Sequence, residues 1–548
     1  MQPPRPGNRA PLLWLVVPLI IGITAGRLGA GGHPALVLGG ALIAAVAAAV
    51  AGWRDSGGWA PAVTVAFALV GMADYTLQRR IIPEWQDRPP REAELVLRVE
   101  RVFASRNRKK TGGLARVVRA DHPFRALTGQ RVYFSGAARP GGPVPRRRAT
   151  IVVVGVLTPL PEDPPADSFD GYLESSGVNF RLNRGRILRE ESPPPAYYQF
   201  CERAAARFRT ILGLGIEDRR PALAGLLRAM MLGETRELTE DQHTIFLQSG
   251  TMHLFAISGL NIAVIAGAIQ TVLLILRFPP WPRFLVGTPL LWLFVDITGA
   301  APSAVRAFAM ALFLQGAFVF RRPGNALASL TGSAAVVLLI TPLQLFSASF
   351  LMSYAIVFAL LALGVPLAES WLTAWTPWRD VPPVTWNRWQ RWIVGGWRAG
   401  VTAVAIGLAT MLVGMITSVQ FFRLLTPGSL VANLVLIPSA VIVTLGGFVA
   451  LVCGLAGFTA GAVLCNHASA LVLLVIEQFV RQSVRVPWAC VAAQFREPWV
   501  GSVALAALTA AFLHGYAAGW RPKRGGWWPP FVVVGLALAL GVTYGVKT

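Results

Sequence analysis

Span-length apolar blocks recur along this chain and are interrupted once, between Arg88 and Pro195. Leu12–Gly26, Ala35–Gly52 and Ala60–Leu77 precede the interruption. After it come His253–Phe278, Phe284–Thr298, Val305–Phe320, Ala326–Ile340, Leu345–Leu367, Ile393–Ile416, Leu430–Leu455, Ala460–Val480, Val500–Tyr516 and Pro530–Val546. A helix of about 20 apolar residues crosses the hydrocarbon core. The expected fold is therefore a polytopic α-helical membrane protein with one extramembrane insert. Composition agrees: 54% of the 548 residues are hydrophobic and 14% charged, against about 25% charged in an average soluble domain. A disordered chain and an ordinary cytosolic enzyme are excluded. The block behind Arg5 and Arg9 resembles a signal peptide, but two more follow closely, so three spans are expected rather than a cleaved leader. With the basic tail inside, three crossings place the insert outside the cytoplasm.

The insert is different material. It carries 20 Lys and Arg against 11 Asp and Glu. Short strand-like runs stand out at Leu95–Val99, Ala115–Val118, Gln130–Phe134 and Thr150–Val154, separated by turns such as Thr111-Gly112-Gly113 and Pro140–Pro143. They predict a small antiparallel β-barrel. Residues 196–249 read as amphipathic helices, with Arg203, Arg207, Arg209, Arg219 and Arg220 on their polar sides and Thr239 as an N-cap. The expected organisation is N-terminal transmembrane helices (1–87), a β domain (88–195), amphipathic helices (196–249), a main transmembrane domain (250–520) and a C-terminal transmembrane helix (521–548). The tryptophan-rich loop Trp371–Trp392 reads as an interfacial belt.

The net charge is +23. Such an excess favours a polyanionic partner, nucleic acid or anionic lipid. Only Lys109, Lys110, Lys523 and Lys547 are lysines, leaving 46 arginines among 50 basic residues. Arg, Ala, Gly, Pro and Trp share GC-rich codons, so genome composition accounts for part of the excess. Cys201, Cys453, Cys465 and Cys490 are widely spaced and predict no disulfide framework. The six histidines never take metal-ligand spacing, so neither a metal site nor a cofactor is expected. No Walker A sequence is present, so ATP-driven pulling is assigned to a partner.

Four segments concentrate polar residues within apolar blocks. Phe246–Asn261 places His253, Ser258, Gly259 and Asn261 at a helix start; small-residue packing with interhelical hydrogen bonds explains it as readily as a pore or ligand site. In Gly299–Ala307, Pro302 and Ser303 open a helix and Arg306 lies inside it. An intramembrane arginine marks a functional site unless it snorkels from the helix end, and Asp296 is its candidate partner. Ser347, Ser349 and Ser353 punctuate a third segment. In the fourth, after Phe421-Phe422-Arg423, Asn433 and Pro438 in one block predict a broken helix.

Together these segments resemble the ComEC family of bacterial competence proteins. The family pattern GTxHLxAISGLHV resembles Gly250–Ile262, P-S-x-x-R-A resembles Pro302–Ala307, F-x-L-S-F/Y-A resembles Phe350–Ala355, and N-L-x-x-x-P resembles Asn433–Pro438. In the insert, Ser168–Val178 resembles FDYxxYLxxxGI. Position 261 is Asn where the family usually has His. The resemblance implies an OB-like barrel and a channel passing single-stranded DNA across the bacterial inner membrane. Many relatives carry a C-terminal metallo-β-lactamase-like domain, for which this sequence has no room. The expectation is a non-enzymatic channel without metal, relying on a separate DNA receptor, translocase and nuclease. Under that expectation Arg98, Arg101, Arg106, Arg108, Lys109 and Lys110 contact phosphates, and Phe103, Tyr133 and Phe134 stack bases. His253, Ser258, Gly259, Asn261, Pro302, Arg306, Ser353, Asn433 and Pro438 form the channel motifs. The alternatives are a small-molecule or lipid-precursor transporter with an interaction domain, and an intramembrane hydrolase using Ser258 with His253; no third residue orients that histidine.

Overall fold

The computed structural model describes residues 12–29, 33–54, 57–79, 89–103, 110–137, 144–161, 164–165, 167–255, 257–321, 325–486, 489–521 and 525–545. Three apolar helices come first: α1 (Leu13–Arg27), α2 (Pro34–Trp53) and α3 (Trp59–Gln78). Glycines bring α1 and α3 into backbone contact. A Cβ on Gly22 would lie 1.8 Å from the Ala68 carbonyl oxygen, and one on Gly71 would lie 2.5 Å from that of Leu19. Small residues at a crossing allow this approach where apolar lipid gives helices little reason to associate.

The insert folds as five strands: β1 (Arg91–Val102), β2 (Lys110–Ala120), β3 (Arg131–Ala137), β4 (Thr150–Pro159) and β5 (Val178–Ser192). Their order is β1-β2-β3-β5-β4, and β4 pairs back onto β1, so the sheet closes. All neighbours are antiparallel except β3 and β5, which run parallel. Alternation sends Leu95, Leu97, Val99, Val117, Val132, Phe134, Ile151, Val153, Phe180 and Leu182 into one core. A short helix, α4 (Phe169–Ser175), precedes β5 and is capped by Ser168, whose side chain accepts from the Gly171 amide.

The chain then enters the bundle through α5 (Ala196–Gly213), α6 (Pro221–Leu232) and α7 (Glu240–Gln248). A single turn at Thr251–Leu254 leads to α8 (Gly259–Ile275), α9 (Pro280–Ile297), α10 (Pro302–Val319) and α11 (Ala326–Ile340). The block Leu345–Leu367 becomes α12 (Ala348–Ala359), a π-turn over Leu360–Gly364, and α13 (Val365–Ala374). Next come α14 (Arg388–Phe422), α15 (Ser429–Leu455), α16 (Thr459–Val484), α17 (Pro498–Ala518) and α18 (Trp528–Gly541). Nine helical stretches among the described residues are long and apolar enough to cross a membrane. The protein is a multi-pass membrane protein.

Two expectations are corrected. Helix α15 runs unbroken through Pro438, so no broken helix forms there. The last apolar block ends as a helix at Gly541 and turns into a strand, β8 (Val542–Tyr544). That strand joins β6 (Leu424–Leu425) and β7 (Val491–Phe495) in a small sheet that ties the C-terminal helices together.

Ion pairs seat the barrel on one end of the bundle. Glu174 lies 3.6 Å from Arg27 at the end of α1 and 3.4 Å from Arg79 just past α3. Arg147 meets Asp296 near the end of α9 at 2.8 Å, and Asp167 pairs with Arg423 just past α14. The Gln78 side chain donates to the Ile340 carbonyl, bringing the end of α11 to the same side. The connections around Arg54, Arg277, Arg321 and Arg379 therefore lie at the opposite end.

Candidate nucleic-acid interface and membrane site

On the barrel, aromatic and arginine side chains gather where β1 ends and α4 begins. Phe103 lies 5.9 Å from Tyr133 and 6.1 Å from Tyr172 between ring centres, and Tyr133 lies 5.1 Å from Phe169. Phe169 stacks on Tyr172 at 5.9 Å and is 47% exposed. Arg101 sits over Phe103, 5.6 Å from its centre, and donates to the Tyr172 hydroxyl at 3.2 Å. Arg181 sits over Phe169 and pairs with Asp170. The cluster offers π faces beside guanidinium groups, a combination suited to stacked bases and phosphates.

The phosphate-contact residues expected from sequence divide. Arg98 is exposed on the outer wall and Arg101 belongs to the aromatic cluster. Lys110 opens β2. Arg106, Arg108 and Lys109 lie outside the described residues. Phe134 is corrected: it is 1% exposed in the barrel core, where no base reaches it. Phe169 and Tyr172 escaped the sequence reading because the segment between β4 and β5 shows no strand periodicity, and the family-like Ser168–Val178 pattern was their only signal; Arg181 lies on β5, whose apolar rhythm is weak.

In the membrane, contacts join part of the expected motif set: the lead-in to α8 meets α10 through the Ile257 carbonyl and Ser303, and α10 meets α12 through Arg306 and Ser349. The Ser258 side chain caps α8 by accepting from the Asn261 amide at 3.3 Å. Gly259 opens α8 beside α10, but a Cβ there would stand 3.7 Å from the Ala307 Cβ, an ordinary contact, so this packing does not require the glycine. Pro302 occupies the first turn of α10, where its missing N–H costs no hydrogen bond. Ser303 there donates to the Ile257 carbonyl at 2.6 Å. Asn261 is buried, donates to the Met230 carbonyl at 3.0 Å and accepts from Thr444 at 3.3 Å. It thereby ties α8 to α6 and α15. His253 is exposed and its Nδ1 contacts the Gly250 carbonyl at 3.0 Å. Ser258 and His253 thus each bond locally.

Arg306 is 1% exposed, so it does not snorkel. Its Nη2 donates to both the carbonyl and the hydroxyl of Ser349 on α12, each at 2.7 Å. Among the described residues its Nε and Nη1 have no hydrogen-bond partner. Asp296 is not its partner: that carboxylate accepts from Arg147 at 2.8 Å and from Tyr197 at 2.9 Å. Ser353 is half-buried on α12, one turn beyond Ser349. Asn433 is half-buried and Pro438 exposed on α15. Among the described residues no group of three or more His, Cys, Asp or Glu is placed to hold a metal.

Comparison with known proteins adds two findings. The family model described as Competence protein matches residues 230–517. ComE operon protein 3 of Bacillus subtilis (strain 168) is 32% identical over 142 residues, covering 26% of this chain and 18% of that protein. The match thus spans less than a fifth of that relative's length. No solved structure matches.

Proposed function

This chain belongs to the competence protein family, and on that premise we propose that it is an inner-membrane channel for single-stranded DNA entering the cytoplasm during natural transformation. The observation that carries the reading is the seating of a basic, aromatic-bearing barrel on the ends of membrane helices by Glu174, Arg147 and Asp167. A polyanion needs attraction outside the bilayer and charge-bearing walls within it. The barrel supplies the first; the buried Arg306 supplies a cation in the bundle. The five-stranded barrel has an OB-like role, with Phe103, Tyr133, Phe169 and Tyr172 as the stacking platform between its β1–β2 and β4–β5 loops.

The barrel faces outward. The short connections at the end away from it carry Arg54, Arg277, Arg321, Arg379 and Arg521. Those on the barrel side carry Arg423, Arg485 and Arg496. Excess arginine in short loops marks the cytoplasmic face. Pulling force, strand degradation and DNA capture fall to partner proteins, and the chain itself catalyses no reaction.

Titrating purified full-length protein with single-stranded DNA at rising salt tests the docking role. Affinity falls steeply, because each neutralised phosphate contributes roughly −0.7 to the log–log slope. Neutralising Arg98, Arg101, Arg106, Arg108, Lys109 and Lys110 together flattens that slope. An unchanged slope would remove these residues from the interface.

A further inference from the structure

The hairpin of α5 and α6 crosses most of the membrane from the barrel side and returns. Helix α5 begins beside the barrel, where Tyr197 donates to Asp296. It ends against the far part of the bundle. Gly454, next to the last residue of α15, would place a Cβ 2.5 Å from Ile211. Asn466, two turns into α16, donates to the Ile211 and Leu214 carbonyls at 2.8 and 3.0 Å. Eighteen helical residues rise about 27 Å, close to the roughly 30 Å of a hydrocarbon core. Helix α6 then returns with Leu223–Leu232 wholly buried.

Within this hairpin the arginines that face protein are neutralised. Arg228 is held by Glu217 at 2.6 Å and Glu237 at 3.2 Å, and Arg209 by Glu234 at 2.5 Å. Arg203 and Arg207 are different. They stand exposed in mid-helix with Ala206 and Thr210, and among the described residues neither forms an ion pair. Two exposed guanidinium groups at mid-membrane depth are too costly to face lipid, at about 2.5–3.5 kcal/mol each on the lowest scale. They therefore face water. At the barrel end the stripe continues into Arg146, which pairs with Glu190 and reaches Glu202, and into Arg147 and Arg148 beside the Tyr198 ring.

We propose that the exposed face of α5 is a wall of the translocation path, along which the phosphates of the incoming strand pass from Arg148, exposed and without an ion pair among the described residues, to Arg203 and Arg207. The proposal rests on the reading of the protein as a DNA channel. It places the path on a helix that precedes the family-matched region.

The test uses the full chain in liposomes with Cys201, Cys453, Cys465 and Cys490 replaced. A cysteine is introduced by Ala206→Cys, or by Leu471→Cys on the exposed apolar face of α16 as a lipid-facing control. A charged, water-soluble thiol reagent should modify the Ala206→Cys protein at least about tenfold faster than the control, because only an aqueous path admits the ion. A single-stranded oligonucleotide should slow that reaction severalfold, and adding Arg203→Glu with Arg207→Glu should abolish the protection. Equal, slow modification at both positions would overturn the proposal. Fast modification that bound oligonucleotide leaves unchanged would show a watery cleft that the strand does not use, and would also overturn it. Either result leaves the channel reading standing, since that reading fails separately if a strain lacking the protein transforms normally.

Discussion

Arg306 and Asn261 show how similar residues within one motif cluster divide in role. Each of the polar groups of Asn261 named above meets a protein partner, on α6 or α15, so it acts as interhelical glue. Arg306 is buried with, among the described residues, only Nη2 bonded, an arrangement that packing alone does not require. Arg306→Ala is expected to lower DNA uptake about tenfold or more while the protein stays inserted, since an intramembrane charge removed without a partner carboxylate leaves no orphaned anion. Arg306→Lys keeps the charge but loses the planar fork, so uptake should recover only in part. Immunoblotting of membranes alongside transformation counts checks both, and normal uptake by Arg306→Ala would assign the residue to structure. The sequence marked Arg306 because a charge inside an apolar block is conspicuous. It mispaired Asp296 because the true partner, Arg147, lies 149 residues away in another fold unit.

Among elements, the seams between barrel and bundle matter most. Asp296 is buried and holds both Arg147 and Tyr197. Breaking such a pair from one side costs about 3–5 kcal/mol. Asp296→Asn should therefore loosen the barrel and speed limited proteolysis at the Pro193–Ala196 link, whereas Asp218→Asn, at the exposed hairpin tip, should not. Equal cleavage of the two variants would mean that the seam does not depend on this pair. Apolar block length made the spans legible in the sequence, and alternation made β1 to β4 legible. Strand β5 was harder, because Arg184, Gly185, Arg186 and Arg189 dilute its apolar rhythm. The hairpin of α5 and α6 was legible only as amphipathic helices. Its depth follows from contacts with Gly454 and Asn466, which are more than 230 residues further along the chain.

For the whole molecule, one end of the bundle carries the barrel and the other carries the arginine-rich short connections, the asymmetry on which the proposed outward placement of the barrel rests. Val144, 71% exposed on the barrel, is a suitable reporter. Val144→Cys in the background lacking native cysteines should react with an impermeant maleimide in intact spheroplasts, and labelling only after lysis would invert the topology. With the barrel outward, the proposed path runs from the barrel surface past the basic face of α5 toward the cytoplasm. The claim beneath all of this is that DNA cannot reach the cytoplasm without this protein. Transformation frequency in a clean deletion strain, with and without the restored gene, tests it most directly. The account predicts a fall to background that restoration reverses, with donor DNA left accessible to added nuclease; a deletion strain that transforms as its parent does would contradict it.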